Sequence, residues 1–368
     1  MRILQVLQSE YCGGAERHVL ELIQQLQHRG HDLIFAGQGQ SWLMAECQEQ
    51  GIETCELPLK RYFSLHNVMV VKRLLLQEKV DLIHIHILPK KSCIIRDVRL
   101  AALLAKVPVI ATVHSLSSKK YTPKKLPLIA LSEHIEDHLI ESGFDAWDVH
   151  HVYHGLADRQ FTEEEKQQLK SELLSYIHVQ DKLIFGVFTR FEPQSGHETL
   201  LEAISQISGD VRARIQVLFL GDHESDYGTH IRQQVADMGL EDVVYFAGHV
   251  TSPEMWMATL DVVINPAEQN NISLSMIEST VQGIPILSSE IQQNNEFVVH
   301  DRNGWLYKVG DPLDCADKIE QITLNQESLT RLGARNRTLF LKYFQMSFMI
   351  DKIESLFLAI LNDEETSF

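Results

Sequence analysis

No apolar run in the chain approaches the roughly 20 residues that a membrane-crossing helix needs. The opening seven residues are too short to supply the apolar region of a signal peptide, so a cytoplasmic protein is expected. Cysteine is sparse: Cys12, Cys47, Cys55, Cys93 and Cys315 are scattered, odd in number and without metal-ligand spacing. Reduced thiols follow, with neither a disulfide framework nor a bound metal. GxGxxG is missing after the first strand, which removes the main support for dinucleotide binding. Short-period repeats and low-complexity segments are lacking too. Positive charge is also short, with 33 basic against 50 acidic residues and a net charge of −17. Residues 1–154 hold 17 of each sign, so the whole excess falls on the remainder. An acidic second half argues against a nucleic-acid partner.

At 368 residues, 44% hydrophobic and 23% charged, the chain suits a soluble protein of two α/β domains. Residues 2–7 read as a first strand, and Gly13-Gly14 leads into an amphipathic helix. Paired glycines let backbone approach a ligand at a strand's carboxyl end, or simply make a tight turn. Three further apolar strands end in His86, His114 and Ser132 at the edge where open α/β sheets bind ligands. Residues 153–161 read as a hinge. Strands near 185–190, 216–222 and 243–248 follow, and an amphipathic stretch over 336–361 closes the chain. Lysine pairs Lys90-Lys91, Lys119-Lys120 and Lys124-Lys125 read as solvated loops, or as a patch that meets an anionic membrane.

The stretch 263–304 organises the rest. An apolar strand ends at a proline, a polar loop follows over 268–271, and residues 272–282 read as a helix stopped by Gly283. A second short strand comes next, completing a βαβ unit whose loop lies at the carboxyl edge. The backbone amides of Ile272, Ser273 and Leu274 would open that helix, a setting that favours an anion. Glu278 lies about one and a half turns further in, within reach of a diol beside the phosphates.

These residues resemble the donor-sugar motif of glycosyltransferase family four, the group 1 glycosyl transferases. The resemblance runs along nearly the whole chain through Gly13-Gly14, His114, His154-Gly155, Arg190, Gly221-Asp222, Gly248, Glu278, Gly283, Pro285, Glu296 and Gly304. It implies the α/β GT-B fold, with two Rossmann-like domains facing across a cleft and a C-terminal helix returning to the first. The expected bounds are 1–157 for an acceptor-side domain, 158–338 for a nucleotide-sugar domain, and 339–368 for helices packing back on the first. By the resemblance, Arg190 meets the diphosphate, Glu278 grips the ribose, and His114 lies near the transferred sugar. His249 and Val250, beside Gly248, meet the base. Gly13 and Gly14 join the donor set, and no metal ligand is implied. For Arg190 the competing reading is a pairing with Glu192 or Glu198 on its own loop.

The chain departs from the family pattern at the diphosphate–sugar pocket. Asn270 stands in place of a carboxylate, Ser195 in place of a lysine, and Gln292-Gln293 in place of two glycines. Asn keeps hydrogen-bonding capacity without charge, and glutamine side chains would narrow the space beside the sugar. Arg190, His114, Asn270 and Ser195 are therefore the expected catalytic set. The expectation is a retaining, metal-independent transferase that needs no cofactor. It would move a sugar from a nucleotide diphosphate, UDP ahead of GDP, to a glycan or lipid-linked acceptor in surface polysaccharide or lipopolysaccharide assembly. Peripheral contact with the inner membrane through the three lysine pairs is a further expectation. The alternative is a catalytically silent GT-B subunit that serves an active transferase.

Overall fold

The computed structural model describes residues 1–10, 12–57, 63–88, 94–179, 181–250, 252–269 and 273–362. Two compact units divide the chain: residues 1–155 with 346–368, and residues 156–345. Among the described residues no helix is long and apolar enough to cross a membrane.

The first unit is a seven-stranded sheet in the order β3-β2-β1-β4-β5-β6-β7. Its strands are β1 (Arg2–Leu7), β2 (Asp32–Gly37), β3 (Glu53–Glu56), β4 (Leu82–Ile87), β5 (Val109–Val113), β6 (Leu128–Ala130) and β7 (Val149–His151). Every pairing is parallel. Parallel strands are covered on both faces and read as continuous apolar runs, which is why β4 is buried along all six residues. The connections carry α1 (Gly14–His28), α2 (Trp42–Glu49), α3 (Leu65–Gln77), α4 (Ile94–Ala105) and α5 (Glu133–Glu141). Strand order reverses between β1 and β4, so the ligand crevice of this unit is expected at their carboxyl ends.

The second unit is a six-stranded parallel sheet in the order β10-β9-β8-β11-β12-β13. Its strands are β8 (Leu183–Phe188), β9 (Ile215–Leu220), β10 (Val244–Gly248), β11 (Val262–Asn265), β12 (Ile286–Ser289) and β13 (Gly304–Tyr307). Around them lie α6 (Glu163–Tyr176), α7 (His197–Gln206), α8 (Gly209–Arg212), α9 (Asp226–Asp237), α10 (Pro253–Ala258), α11 (Leu274–Gln282), α12 (Gln292–Phe297), α13 (Pro312–Leu324) and α14 (Glu327–Leu339). A capping box starts α6: the Thr162 hydroxyl accepts from Glu165 N at 3.2 Å, and Glu165 Oε2 accepts from Thr162 N at 2.7 Å. Order reverses here between β8 and β11. A π-helical turn over Phe340–Phe344 ends α14, and α15 (Met346–Asn362) then belongs to the first unit. There Glu354 accepts from Arg29 at 2.9 Å and pairs with His31 at 2.8 Å, tying α15 to the end of α1.

Candidate functional site

In the second unit the organising βαβ element is β11, α11 and β12, paired in parallel from Val263↔Ile286 to Asn265↔Ser288. Gly283 stops α11 in the left-handed region at φ 68°, where a side chain would be strained. The helix begins at Leu274, and no side chain caps its first amides. Its opening turn lies beside the end of β8, where Ser275 Oγ donates to Phe188 O at 3.5 Å. Ser273 Oγ stands 2.7 Å from Ser275 Oγ. The helix's unpaired amides and its positive end thus meet the switch point of this sheet, a setting that suits a phosphate. Glu278 lies half-buried on the same helix.

Two loops frame that switch point. Residues 189–196 leave β8, and residues 266–269 leave β11. Gly196 holds them together: at φ 81°, a Cβ there would come 1.8 Å from Pro266 O. Glu268 N donates to Gln194 O at 3.0 Å, Thr199 Oγ1 donates to Glu268 Oε1 at 2.5 Å, and the Gln194 and Gln269 side chains are hydrogen-bonded. Arg190 is 78% exposed and pairs with Glu192 at 3.0 Å, the arrangement that competes with phosphate binding. A solvated pair of this kind contributes at most about 1 kcal/mol, so an incoming diphosphate can displace it. Ser195 is half-buried, and its amide donates to Glu192 O at 3.2 Å.

On α12, Gln293 is 1% exposed while Gln292 is exposed. Asn294 receives a hydrogen bond from Asn265 Nδ2 at 3.1 Å and donates to Ser289 O at 3.0 Å, so α12 is locked against the carboxyl ends of β11 and β12. At the end of β10, Gly248 has φ 74° and faces His223, while His249 is exposed and Val250 half-buried.

The first unit gathers five histidines at one place. His18 Nδ1 lies 2.6 Å from His154 Nδ1, and His86 Nδ1 lies 3.1 Å from His114 Nε2. His84 Nε2 reaches Thr112 Oγ1 at 2.7 Å, and His86 Nε2 reaches Gln5 Oε1 at 2.9 Å. With the Gln5 carbonyl oxygen facing it, His86 carries its proton on Nε2. Its Nδ1 then accepts from His114 Nε2, which leaves His114 Nδ1 the acceptor nitrogen of its ring. Burial pushes His84 and His114 down to about 3 and His154 down to about 4. Burial first, and the neighbouring imidazoles second, push His18 and His86 well below the ordinary value. All five rings are neutral at neutral pH, so His114 acts there as a hydrogen-bonding group and not as a cation. Among the described residues no cluster of three or more His, Cys, Asp or Glu is arranged to hold a metal. A shallow cleft opens beside His86 at the carboxyl ends of β1, β2 and β4, with Gln8, Ser9, Glu10 and Gln38 on its polar side.

Two family models cover most of this architecture. Glycosyltransferase Family 4 matches residues 12–159 and Glycosyl transferases group 1 matches residues 182–325. The chain belongs to glycosyltransferase family four. It is 22% identical to N-acetyl-alpha-D-glucosaminyl L-malate synthase of Bacillus anthracis, with 96% of each chain covered. A UDP-Gal:alpha-D-GlcNAc-diphosphoundecaprenol alpha-1,3-galactosyltransferase of Escherichia coli is 23% identical, over 81% of this chain and 80% of that one. The solved structure of Anabaena HepE in complex with UDP superimposes with a TM-score of 0.85 at 18% identity, covering 98% of this chain and 100% of that one. The fold is GT-B.

Within this family-four chain the structure brings Ser273, Leu274, Glu278 and the loop of Arg190 and Ser195 to one switch point. His249 and Val250 follow the outer strand β10. Gly13 is the N-cap of α1, with Gly14 its first residue, at the carboxyl end of β1. Asn270 and Ile272 lie outside the described residues, as do Lys90 and Lys91. Lys119 is half-buried and Lys120 exposed on a 3₁₀ turn, Leu116–Tyr121; Lys124 and Lys125 are exposed before β6. Ser132, read as a polar strand end, is the N-cap of α5, accepting from Ile135 N at 3.1 Å. Sequence reasoning missed Glu268 and the convergence of His18, His84 and His154 on His86 and His114. The alternating His84-Ile85-His86 on a buried strand was the available signal for the second: two polar residues on one face of a parallel strand need partners.

Proposed function

We propose that this family-four chain is a retaining, metal-independent glycosyltransferase that draws on a UDP-sugar and serves surface polysaccharide or lipopolysaccharide assembly. The observation that carries the proposal is the uncapped first turn of α11 at the β8/β11 switch point, with Glu278 on the same helix. In this reading Glu278 accepts from the ribose hydroxyls and Arg190 leaves Glu192 for the diphosphate. Ser195 stands where the family has a lysine and supplies a weaker, uncharged donor. The bond from the anomeric carbon to the β-phosphate oxygen breaks, and the acceptor oxygen bonds to that carbon on the same face. The acceptor proton passes to the departing phosphate. The amides of α11 and Arg190 hold the charge that develops, a term worth about 10²–10³-fold per preorganised donor. His114, neutral, accepts a hydrogen bond from a sugar hydroxyl. Relatives support UDP and a lipid-linked acceptor: HepE was solved with UDP-glucose, and the E. coli protein is named for UDP-Gal and a diphosphoundecaprenol-linked sugar. A cytoplasmic location goes with both substrates.

Calorimetric titration with UDP, GDP and ADP in the presence of chelator tests the donor site. UDP should bind, and Glu278→Ala should abolish the signal. Transfer from labelled UDP-sugar, read by NMR for the anomeric configuration of the product, tests the reaction; unchanged turnover in Arg190→Ala would refute it. One observation favours a second reading. Arg190 is engaged with Glu192, and by the family pattern the departures at Ser195, Asn270 and Gln292-Gln293 belong to the donor pocket, as a silent subunit would show. Binding of none of the three nucleotides, with co-purification of an active transferase, would select that reading.

A further inference from the structure

Helix α3 is apolar on two faces. Val68, Val71 and Leu75 are buried against the unit, each 1% exposed. About 110° round the helix Leu65, Met69 and Leu76 are 68%, 60% and 57% exposed. At 100° per residue those three fall within about 40° of one another, a stripe running the length of a helix about 20 Å long. An isolated surface leucine needs no explanation, but an aligned stripe does. Helix α4 packs beside α3 and extends the same surface: Leu103 and Leu104 are 57% and 49% exposed. A buried carboxylate fastens the pair, since Asp97 of α4 accepts from Asn67 Nδ2 at 3.3 Å and from Ser64 N at 3.5 Å. The outer surfaces join where Arg96 of α4 sits 4.6 Å over the ring of Phe63, which is 40% exposed.

The charges along the two helices that carry this apolar stripe are mainly basic. Lys72 and Arg73 flank it on α3, Arg96 and Arg99 on α4, and Lys79 and Lys106 follow the two helix ends. The two acidic residues of the segments 63–79 and 94–106 are already engaged: Asp97 inside the helix pair, and Glu78 on Arg2 at 2.6 Å. Six bases with no unengaged acid border the exposed leucines, on a chain whose net charge is −17. A second copy of so acidic a chain, or a polar protein, does not call for leucines between the bases. A bilayer with anionic headgroups does, because apolar side chains enter the acyl boundary while lysine and arginine meet the headgroups.

We infer that the outer face of α3 and α4 docks the protein on an anionic lipid surface. This places a membrane contact on a helical face of the first unit. It rests on the first unit's surface alone and stands independently of the transfer reaction. It also links the bilayer to a binding site: Ile94 and Ile95, the first turn of α4, line the cleft beside His86, one residue from Arg96. A lipid-borne acceptor would pass from the membrane into that cleft along one turn of helix.

Sedimentation of the full chain with vesicles of phosphatidylcholine, with and without phosphatidylglycerol, tests the inference. The protein should partition onto the anionic vesicles only, and salt should weaken the binding. Replacing two bases (Lys72→Gln with Arg73→Gln) should weaken partition about 30-fold, since each base near the surface is worth a factor of about five. Leu65→Ser with Met69→Ser and Leu76→Ser should also release the protein. All five positions are at the surface, so unchanged circular dichroism is expected, and titration with UDP on the same samples reads the donor site separately. Equal partition of native protein and both variants would overturn the assignment of this face. Failure of the native protein to bind anionic vesicles would overturn the inference altogether. A concentration-dependent dimer that the serine variant abolishes, without vesicle binding, would give the face to a second copy instead.

Discussion

Acidification should unfold the first unit before the second, and the histidine cluster sets the scale. A buried imidazole whose folded pKa lies below its unfolded value binds fewer protons when folded. Its contribution to stability is whole above about pH 6.5, the unfolded value, and drains away as the pH falls toward the folded value. His84, His114 and His154 have folded values of about 3, 3 and 4. At about pH 5 each is neutral when folded and protonated when unfolded, so each costs about 2 kcal/mol and the three together about 6 kcal/mol. That approaches the whole stability of an ordinary domain, about 5–15 kcal/mol. His18 and His86 shift the same way and add to the loss. The second unit has one comparable group among its described residues, His197, lowered to about 4. Urea titration followed by ¹⁹F NMR of fluorotryptophan-labelled protein separates the units, because Trp42 belongs to the first and Trp305 to the second. Between about pH 7.5 and 5 the Trp42 midpoint should fall well below that of Trp305. His84→Gln should flatten the dependence by about 2 kcal/mol, even where it lowers stability at neutral pH. A Trp42 midpoint no more sensitive to pH than that of Trp305 would refute the reasoning.

Three further outcomes concern the frame of the second unit. Gly196→Ala places a Cβ 1.8 Å from Pro266 O at φ 81°, so the loops 189–196 and 266–269 must separate. A loss of about 2–3 kcal/mol together with weakened UDP binding is expected, read by thermal shift and calorimetry. Asn336 is fully buried; its amide nitrogen donates to Ile284 O at 2.7 Å and Asn303 O at 3.0 Å, and its oxygen accepts from Asn303 at 2.9 Å. Asn336→Ala leaves these groups unsatisfied and should cost about 3 kcal/mol in urea unfolding of the second unit. Thr162→Ala opens the capping box of α6 and should cost about 1 kcal/mol, measured the same way, with UDP binding unchanged.

Local patterns carried much of the architecture. Apolar runs predicted β1, β4, β8, β9 and β11, the last of them ended by a proline. Gly283 marked the end of α11 correctly because a left-handed C-cap favours glycine. The terminal stretch, read as beginning at 336, is in fact α14 running from Glu327 into a π-helical turn, with α15 returning to the first unit. The low apolar content of α14 hid its start, since only Leu332, Gly333 and Asn336 of it are buried.

What the sequence by itself determined is most of the strands and the residues that mark the family, because these rest on short-range patterns of apolarity and turn chemistry. What only tertiary structure decided is which side chains meet. His18 and His154 lie 136 residues apart and touch at 2.6 Å, and no periodicity links them. Arg190 pairs with Glu192, one of the two partners its loop offered, and α3 showed its second apolar stripe only once the first was seen to be buried. Spacing along a chain specifies faces of helices and strands; the packing of those faces selects the contacts that give buried imidazoles their low pKa and leave six leucine-flanking bases on one surface.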